Sequence, residues 1–273
     1  MARDLFHSIS ARADHLCEHL PGALRGRTRE THQARVAARR LVEVLPLVGP
    51  SGDRLARQVR SIRVALGAGR EVAVTIDLLA EEGARHDWPH TLTARIKRHL
   101  DDAAESHQAA AQNELNKLEP AKLRRRLRDV ASDAKALKSA IALERLDAQI
   151  ARREGTLARA VHAAGGLYDV ERLHRIRIES KKLRYVLEVA AEVVGARSRR
   201  RLAALKTVQE LLGRLHDLQT LQGHIREVEI TFVPGRGGVA RGLAQMAEDV
   251  EADCRAVHAA ALPLIQKLSR HRE

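Results

Sequence analysis

The sequence predicts an all-α fold. Ala, Leu, Arg, Glu, Gln and Lys dominate the 273 residues, and all six favour helices. Runs of β-branched residues are scarce, and aromatic residues make up only 2% of the chain. Helices packed on leucine, valine and alanine are therefore expected. A chain of this length can form one large domain or two of ordinary size, and either would bury a substantial core.

Five helices are predicted in the first 120 residues, because proline, glycine or a capping residue divides the helical pattern at regular intervals. Pro21 and Gly22 are expected to close the first helix, and Thr28 or Thr31 can cap the second. Gly67 is expected to end the third helix and Pro120 to stop the fifth. The predicted helices span, approximately, residues 4–20, 28–45, 51–66, 70–82 and 91–118.

The second part of the chain is also predicted to be helical. The pattern from 121 to 164 is interpreted as a long helix, either straight or bent, that bridges two bundles. Asp169 can cap the next helix, which is expected to run to about Val194, and another follows from about Ser198 to a turn at Gly213. Further helix is expected up to the loop at 234–238, and a closing helix from about 239 to 271 can bend at Pro263.

Two stretches repeat one pattern of histidine and cations. The first has His32, Arg35 and Arg39, and the second has His174, Arg177 and Lys181. In each stretch the histidine and the first cation are three residues apart, the two cations are four apart, and the outer two residues are seven apart. Residues so spaced lie on one face of a helix. An isolated basic face is usually solvated surface. However, two cations about 5 Å apart repel by roughly 3 kcal/mol at an effective dielectric near 20, and the repetition of this cost indicates a bound anion.

The net charge and the arginine content of the chain indicate a phosphate-rich partner. Net charge is +13, the sequence pI is near 10.6, and arginine, whose planar group matches phosphate, supplies much of the surplus.

Cys17 and Cys254 are far apart and are interpreted as core residues without a disulfide. The N-terminus lacks the apolar stretch of a signal peptide, and no run reaches membrane-spanning length. A cytoplasmic protein with no membrane partner is expected.

The repeat extends beyond these two histidine-and-cation faces, which we call stripes. Leu66 to Glu71 follows the first stripe as Leu212 to Asp217 follows the second, and each has a glycine, two residues and a basic-acidic pair. In this register Arg63 matches Gln209, and Arg60 matches Lys206. Two halves, at approximately 1–140 and 141–273, therefore predict a pseudo-twofold arrangement of helical hairpins with a glycine turn in each.

Three elements resemble the CHAD family, the "conserved histidine α-helical domain". They are His-x-x-Arg-x-x-x-Arg-Arg-Leu at 32–41, His-x-x-Arg-x-x-x-Lys-Lys-Leu-Arg-Tyr at 174–185 and Leu-Gly-x-Leu-His-Asp-Leu-x-x-Leu at 212–221. The resemblance covers nearly the whole chain. It implies a single domain of two pseudo-symmetric four-helix bundles, a basic cavity or groove between them, and binding of inorganic polyphosphate. The first half departs from the pattern at Arg70-Glu71, and Gln219 replaces an acidic residue; packing roles are expected there.

The expected polyphosphate site combines the two stripes with cations on the following helices. Its residues are His32, Arg35, Arg39, Arg40, Arg63, His174, Arg177, Lys181, Lys182, Arg184, Tyr185 and Lys206. Protonated histidine donates more strongly to phosphate, so tighter binding toward pH ~6 is expected. The predicted function is non-catalytic and needs no cofactor or metal. The resemblance and the binding surface also fit association with polyphosphate granules.

Each assignment has an alternative. The two histidines can bridge helices, Arg39 can pair with Glu43, Lys181 can pair near Glu188, and Tyr185 can be a core residue. Nucleic acid is the second choice of partner, because net charge does not distinguish phosphate polymers. A metal-dependent phosphohydrolase is less favoured, since His216-Asp217 lacks further ligands at suitable spacing.

Overall fold

The described chain is almost entirely helical, which confirms the all-α class. A computed structural model describes residues 5–193, 197–232 and 237–270. Within these ranges the chain forms ten α-helices and no strand. The helices are α1 (Leu5–Leu24), α2 (Thr28–Val44), α3 (Pro50–Ala65), α4 (Ala68–Arg85), α5 (His90–Asn116), α6 (Pro120–Ala136), α7 (Ser139–Ala164), α8 (Val170–Val193), α9 (Arg197–Glu229) and α10 (Gly238–Arg270), with a 3-10 turn at Leu45–Val48.

The chain forms two compact units, each built from three separate stretches. Unit 1 comprises the described residues of 1–67, 109–159 and 178–206, and unit 2 those of 68–108, 160–177 and 207–273. Helices α5, α7, α8 and α9 contribute residues to both units. The division into pseudo-repeats at 1–140 and 141–273, and their arrangement as two four-helix bundles, remain predictions.

The core of unit 1 is built mainly on α1, α2, α3, α6 and the end of α8. Helix α1 turns Ile9, Leu16 and Leu20 inward at helical spacing, and all three are buried. Helix α2 packs against α1 and α3 through small side chains such as Ala34 and Ala38, which let the backbones approach. This packing leaves Arg39 and Arg40 of α2 at the margin of the core, whereas Arg35 is buried.

The predicted end of the first helix at Pro21-Gly22 is wrong. Helix α1 continues to Leu24 with Pro21 inside it, and the chain turns at Gly26, whose φ is +75°. Proline has no N–H for the carbonyl four residues earlier. That carbonyl, on Cys17, accepts a bond of 3.4 Å from the Arg124 guanidinium of α6. A side chain from another helix therefore replaces the missing backbone donor.

Two other predicted boundaries are also wrong. The stretch 121–164 is interrupted, because Leu137 has an extended backbone (ψ +129°) between α6 and α7. Gly213 forms no turn and lies inside α9, whereas Gly67 does separate α3 from α4. A glycine inside a helix costs about 1 kcal/mol relative to alanine, and burial of a leucine side chain contributes about 1.5–3 kcal/mol. Leu212 and Leu215, each 1% exposed, flank Gly213 and hold the helix continuous.

None of the described helices combines the length and the apolar character needed to cross a bilayer.

Candidate anion-binding site

The predicted site residues fall into both units. His174 and Arg177 lie in unit 2, on the first turns of α8. The remaining ten lie in unit 1, on α2, α3, α8 and α9: His32, Arg35, Arg39, Arg40, Arg63, Lys181, Lys182, Arg184, Tyr185 and Lys206. The larger share of the predicted cations therefore belongs to unit 1.

Helices α2 and α3 bring arginines close together. The Arg63 side chain at the end of α3 is half-buried. Burial lowers the pKa of its guanidinium, and the charges of Arg39 and Arg60 lower that pKa further, against the opposing charges of Glu43 and Tyr185. Like charges from two packed helices therefore repel one another here, as expected of a surface that holds an anion.

Glu188 of α8 is shared by two arginines. Its Oε2 lies 2.9 Å from Nε of Arg40, and its Oε1 lies 3.6 Å from Nε of Arg184. The Arg184 guanidinium also lies over the ring of Tyr185, with 5.0 Å from Cζ to the ring centroid. Tyr185 is only 8% exposed, so its ring supports an arginine from inside the unit.

A buried ion-pair network lies beside these arginines. An Arg153 nitrogen of α7 lies 2.5 Å from Oε2 of Glu43 and the other lies 3.9 Å from Glu179. Lys182 donates to Glu179 at 2.7 Å. Burial raises the pKa of Glu43, while the charges of Arg153 and Lys182 oppose that rise. The alternative pair expected for Glu43 involved Arg39, but the hydrogen bond it accepts comes from Arg153.

Among the residues that the structure describes, the interactions above involve seven cations and three carboxylates. The carboxylates are Glu43, Glu179 and Glu188. The cations are Arg39, Arg40, Arg60, Arg63, Arg153, Lys182 and Arg184, and we call them the basic cluster. The cluster keeps a large positive surplus within unit 1.

The other predicted residues of unit 1 differ in exposure. His32 and Lys206 are exposed, and Lys181 is partly exposed. Arg35 is only 7% exposed, so its guanidinium lies inside the unit. An exposed cation can contact a long ligand directly. The Arg35 guanidinium can do so only where a ligand reaches into the unit.

His174 and Arg177 belong to a separate histidine group in unit 2. The rings of His174 and His216 are 4.9 Å apart between centroids, and Nε2 of His216 lies 3.5 Å from a Glu71 oxygen. The hydrogen bond from His216 lowers the pKa of Glu71; burial opposes this, and the charges of His216, Arg177 and His107 add to it. The acidic position of the first repeat, Glu71, thus meets the basic position of the second repeat, His216.

Sequence reasoning missed Arg60, Arg153 and His216 as members of these groups. Arg60 had a usable signal, because it precedes Arg63 by one helical turn. His216 lies in the third motif but entered only as a candidate metal ligand. Arg153 had no signal, since its partner Glu43 is 110 residues away in sequence.

Comparisons with known proteins identify the family. The sequence model of the CHAD domain matches residues 7–226. The CHAD domain from the plant Ricinus communis is similar in structure, with a TM-score of 0.70, 22% identity and coverage of 100% of this chain and 93% of that one. PptA from Streptomyces chartreusis gives 0.69, 16% identity, and coverage of 97% and 98%. No curated protein matches the sequence. Identities this low show a shared fold, whereas the family match spans most of the sequence: the chain belongs to the CHAD domain family.

Proposed function

We propose that the chain binds inorganic polyphosphate through the basic cluster of unit 1 and that it catalyses no reaction. The observation that carries the proposal is the charge imbalance of the cluster. The cluster has seven cations and interacts with the three carboxylates named above, and Arg63 is half-buried beside Arg39 and Arg60. An anion that lies along these side chains would relieve the repulsion between them.

The chemistry of the cluster suits a chain of phosphates. Polyphosphate carries about one negative charge per phosphate and has no bases, so its receptor needs closely spaced cations. Six of the seven cations are arginines, whose planar groups bind phosphate oxygens in pairs. A charge-assisted hydrogen bond contributes roughly 1.5–3 kcal/mol, so several in parallel would outweigh the entropy lost by a flexible ligand.

The remaining predicted residues extend this proposal. His32, Lys181 and Lys206 would add contacts at the margin of unit 1, where their side chains are at least partly exposed. Arg35 and Tyr185 would act from inside, and Tyr185 would do so by supporting Arg184. His174 and Arg177 would bind phosphate within unit 2.

Nucleic acid is a weaker candidate, because single-stranded binding uses exposed aromatic rings for base stacking. Trp88 is 8% exposed, and its indole N–H donates to Asp249 at 2.9 Å. Tyr185 is equally buried. Phe232 lies beneath Arg95 at 5.5 Å. These three aromatic environments favour a ligand that has phosphates and no bases.

Titration calorimetry with long-chain polyphosphate at fixed salt tests the proposal. Arg39→Gln/Arg63→Gln should weaken binding by more than about tenfold, because it removes two charge-assisted contacts of roughly 1.5–3 kcal/mol each. Arg125→Gln/Arg128→Gln is the matched control, since both arginines are exposed on α6 and the change in net charge is the same. An equal loss of affinity in both double variants would show that the change in net charge causes the effect. Unchanged affinity in the first pair would remove the cluster from the mechanism.

Two further measurements separate the alternatives. Competition with duplex and single-stranded DNA at equal phosphate concentration should leave polyphosphate bound; displacement by DNA would favour the nucleic-acid function. Phosphate release should be absent with and without added divalent metal. A release rate that His216→Ala abolishes would instead establish a phosphohydrolase.

We also propose a cytoplasmic location with recruitment to polyphosphate granules, which would use the same cluster. Fluorescence microscopy of the wild type and Arg39→Gln/Arg63→Gln in cells that accumulate polyphosphate would test this. Recruitment of both proteins alike would contradict it.

A further inference from the structure

His99, His224 and Glu227 bring three potential metal-ligating atoms together in unit 2. His99 lies on α5, and the other two lie three residues apart on α9. Nε2 of His99 lies 2.9 Å from Oε2 of Glu227, Nδ1 of His224 lies 3.0 Å from the same oxygen, and the two nitrogens are 3.3 Å apart. Three ligand atoms from two helices thus surround one point.

Hydrogen bonding alone does not satisfy this arrangement. An ionised carboxylate only accepts hydrogen bonds, so both ring nitrogens must donate to the Glu227 oxygen. The 3.3 Å contact between those nitrogens then joins two donors. A divalent cation resolves this conflict, because each nitrogen and the carboxylate oxygen can donate a lone pair to it.

The spacing suits zinc. Zinc–nitrogen bonds of about 2.0–2.1 Å place neighbouring ligands of a tetrahedral site about 3.3–3.4 Å apart. The separations of 2.9, 3.0 and 3.3 Å therefore need adjustments of only a few tenths of an ångström. Imidazole with carboxylate is also a ligand set that zinc and cobalt accept.

A second histidine and carboxylate group within unit 2 is less suitable. Glu82, His86 and Asp253 also converge, but Arg85 and Arg214 already donate to Glu82, and Arg85 also to Asp253. The Glu227 carboxylate forms its ion pairs with His99 and His224 and has no guanidinium partner among the described residues. Its position is therefore open to a cation.

We propose that His99, His224 and Glu227 bind one Zn²⁺ ion, with a water molecule as the fourth ligand. Their side chains are 36%, 18% and 57% exposed, so solvent can reach the ion from one side. Three protein ligands and one open position are typical of zinc sites that also take an exogenous oxygen ligand. The ion would join α5 to α9 and stabilise unit 2.

Titration of the metal-free, full-length protein with ZnCl₂ in phosphate-free buffer tests the site. One equivalent should bind, the melting temperature should rise, and Co²⁺ should produce the visible absorption typical of tetrahedral coordination. Loss of an outer-sphere partner alone weakens metal sites about 10- to 100-fold, so loss of a direct ligand in His99→Ala or His224→Ala should weaken binding by more than about 100-fold.

Two controls keep the test specific. His90→Ala/His162→Ala removes two exposed histidines elsewhere in unit 2, and this variant should still bind one equivalent of zinc. Glu227→Gln preserves side-chain size at an exposed position, so it should retain the fold and the wild-type circular dichroism while losing cobalt absorption. Zinc uptake that is absent in the wild type, or equal in His99→Ala, His224→Ala and the control, would overturn the proposal.

Discussion

Nε of Arg40 lies 2.9 Å from Oε2 of Glu188, which ties α2 to α8 inside unit 1. The other Glu188 oxygen lies 3.6 Å from Nε of Arg184. One carboxylate therefore restrains two of the seven cations in the basic cluster. In the proposed function this carboxylate competes with phosphate for both arginines.

Glu188→Gln should increase the affinity for polyphosphate, because Arg40 and Arg184 would lose their competing partner. Arg40 is 40% exposed, and pairs of this kind contribute up to about 1 kcal/mol, so an increase of about two- to fivefold is expected. Calorimetric titration measures it. Glu144→Gln is the control, since it removes one exposed carboxylate on α7. Equal gains in both variants would point to net charge rather than to release of the two arginines.

Arg153→Met should destabilise the protein strongly. Its partner Glu43 is 5% exposed, and removal of one member of a buried ion pair costs about 3–5 kcal/mol. Urea unfolding measures the loss. The double variant Glu43→Gln/Arg153→Met should recover much of it, because no buried carboxylate remains unpaired. A double variant as unstable as the single one would show that packing of Arg153 matters more than its charge.

The Arg153→Met defect should also depend on pH. Burial already raises the pKa of Glu43 in the folded protein, and loss of Arg153 would raise it further. A carboxyl whose pKa is higher folded than unfolded favours folding when protonated, so stability falls as pH rises above the unfolded pKa of 4.5. Unfolding at pH ~5 should therefore show a smaller defect than at pH ~7.5. A defect independent of pH would contradict this account.

Tyr168 and Cys254 should make unit 2 unstable in alkali. Burial raises the pKa of Tyr168 from 10.0 to about 12 and that of Cys254 from 9.0 to about 11. Both groups ionise first in the unfolded chain, so stability should fall from about pH 9 upward, by at most roughly 1.4 kcal/mol per group per pH unit. Thermal unfolding between pH 8 and 11 tests this range. Tyr168→Phe/Cys254→Ala should flatten the dependence, and an equally steep fall would assign it to other groups.

Polyphosphate binding should strengthen as pH falls from about 7.5 to about 6, because imidazoles gain charge across this range. His32 is exposed on α2, and His174 lies beside His216. Calorimetry at both pH values measures the change, and His32→Ala/His174→Ala should remove most of it. His90→Ala/His162→Ala is the control for general titration of surface histidines. A pH effect that persists in the first pair would exclude these two histidines from the site.

The helical class was predictable because helix formation depends on residue propensities and on local spacing. The inward positions of Ile9, Leu16 and Leu20 follow directly from the 3.6-residue period. The ends of the helices were less predictable. Pro21 remains inside α1 because Arg124 bonds the Cys17 carbonyl, and Gly213 remains inside α9 because buried leucines flank it.

By itself, the sequence determined the helical fold, the basic charge and the positions of the two histidine-and-cation stripes, since each depends on residue type and local spacing. The tertiary structure decided which cations have carboxylate partners. Arg40 and Glu188 are 148 residues apart, and His99 and Glu227 are 128 apart. No local pattern relates such residues, because packing of whole helices brings them together.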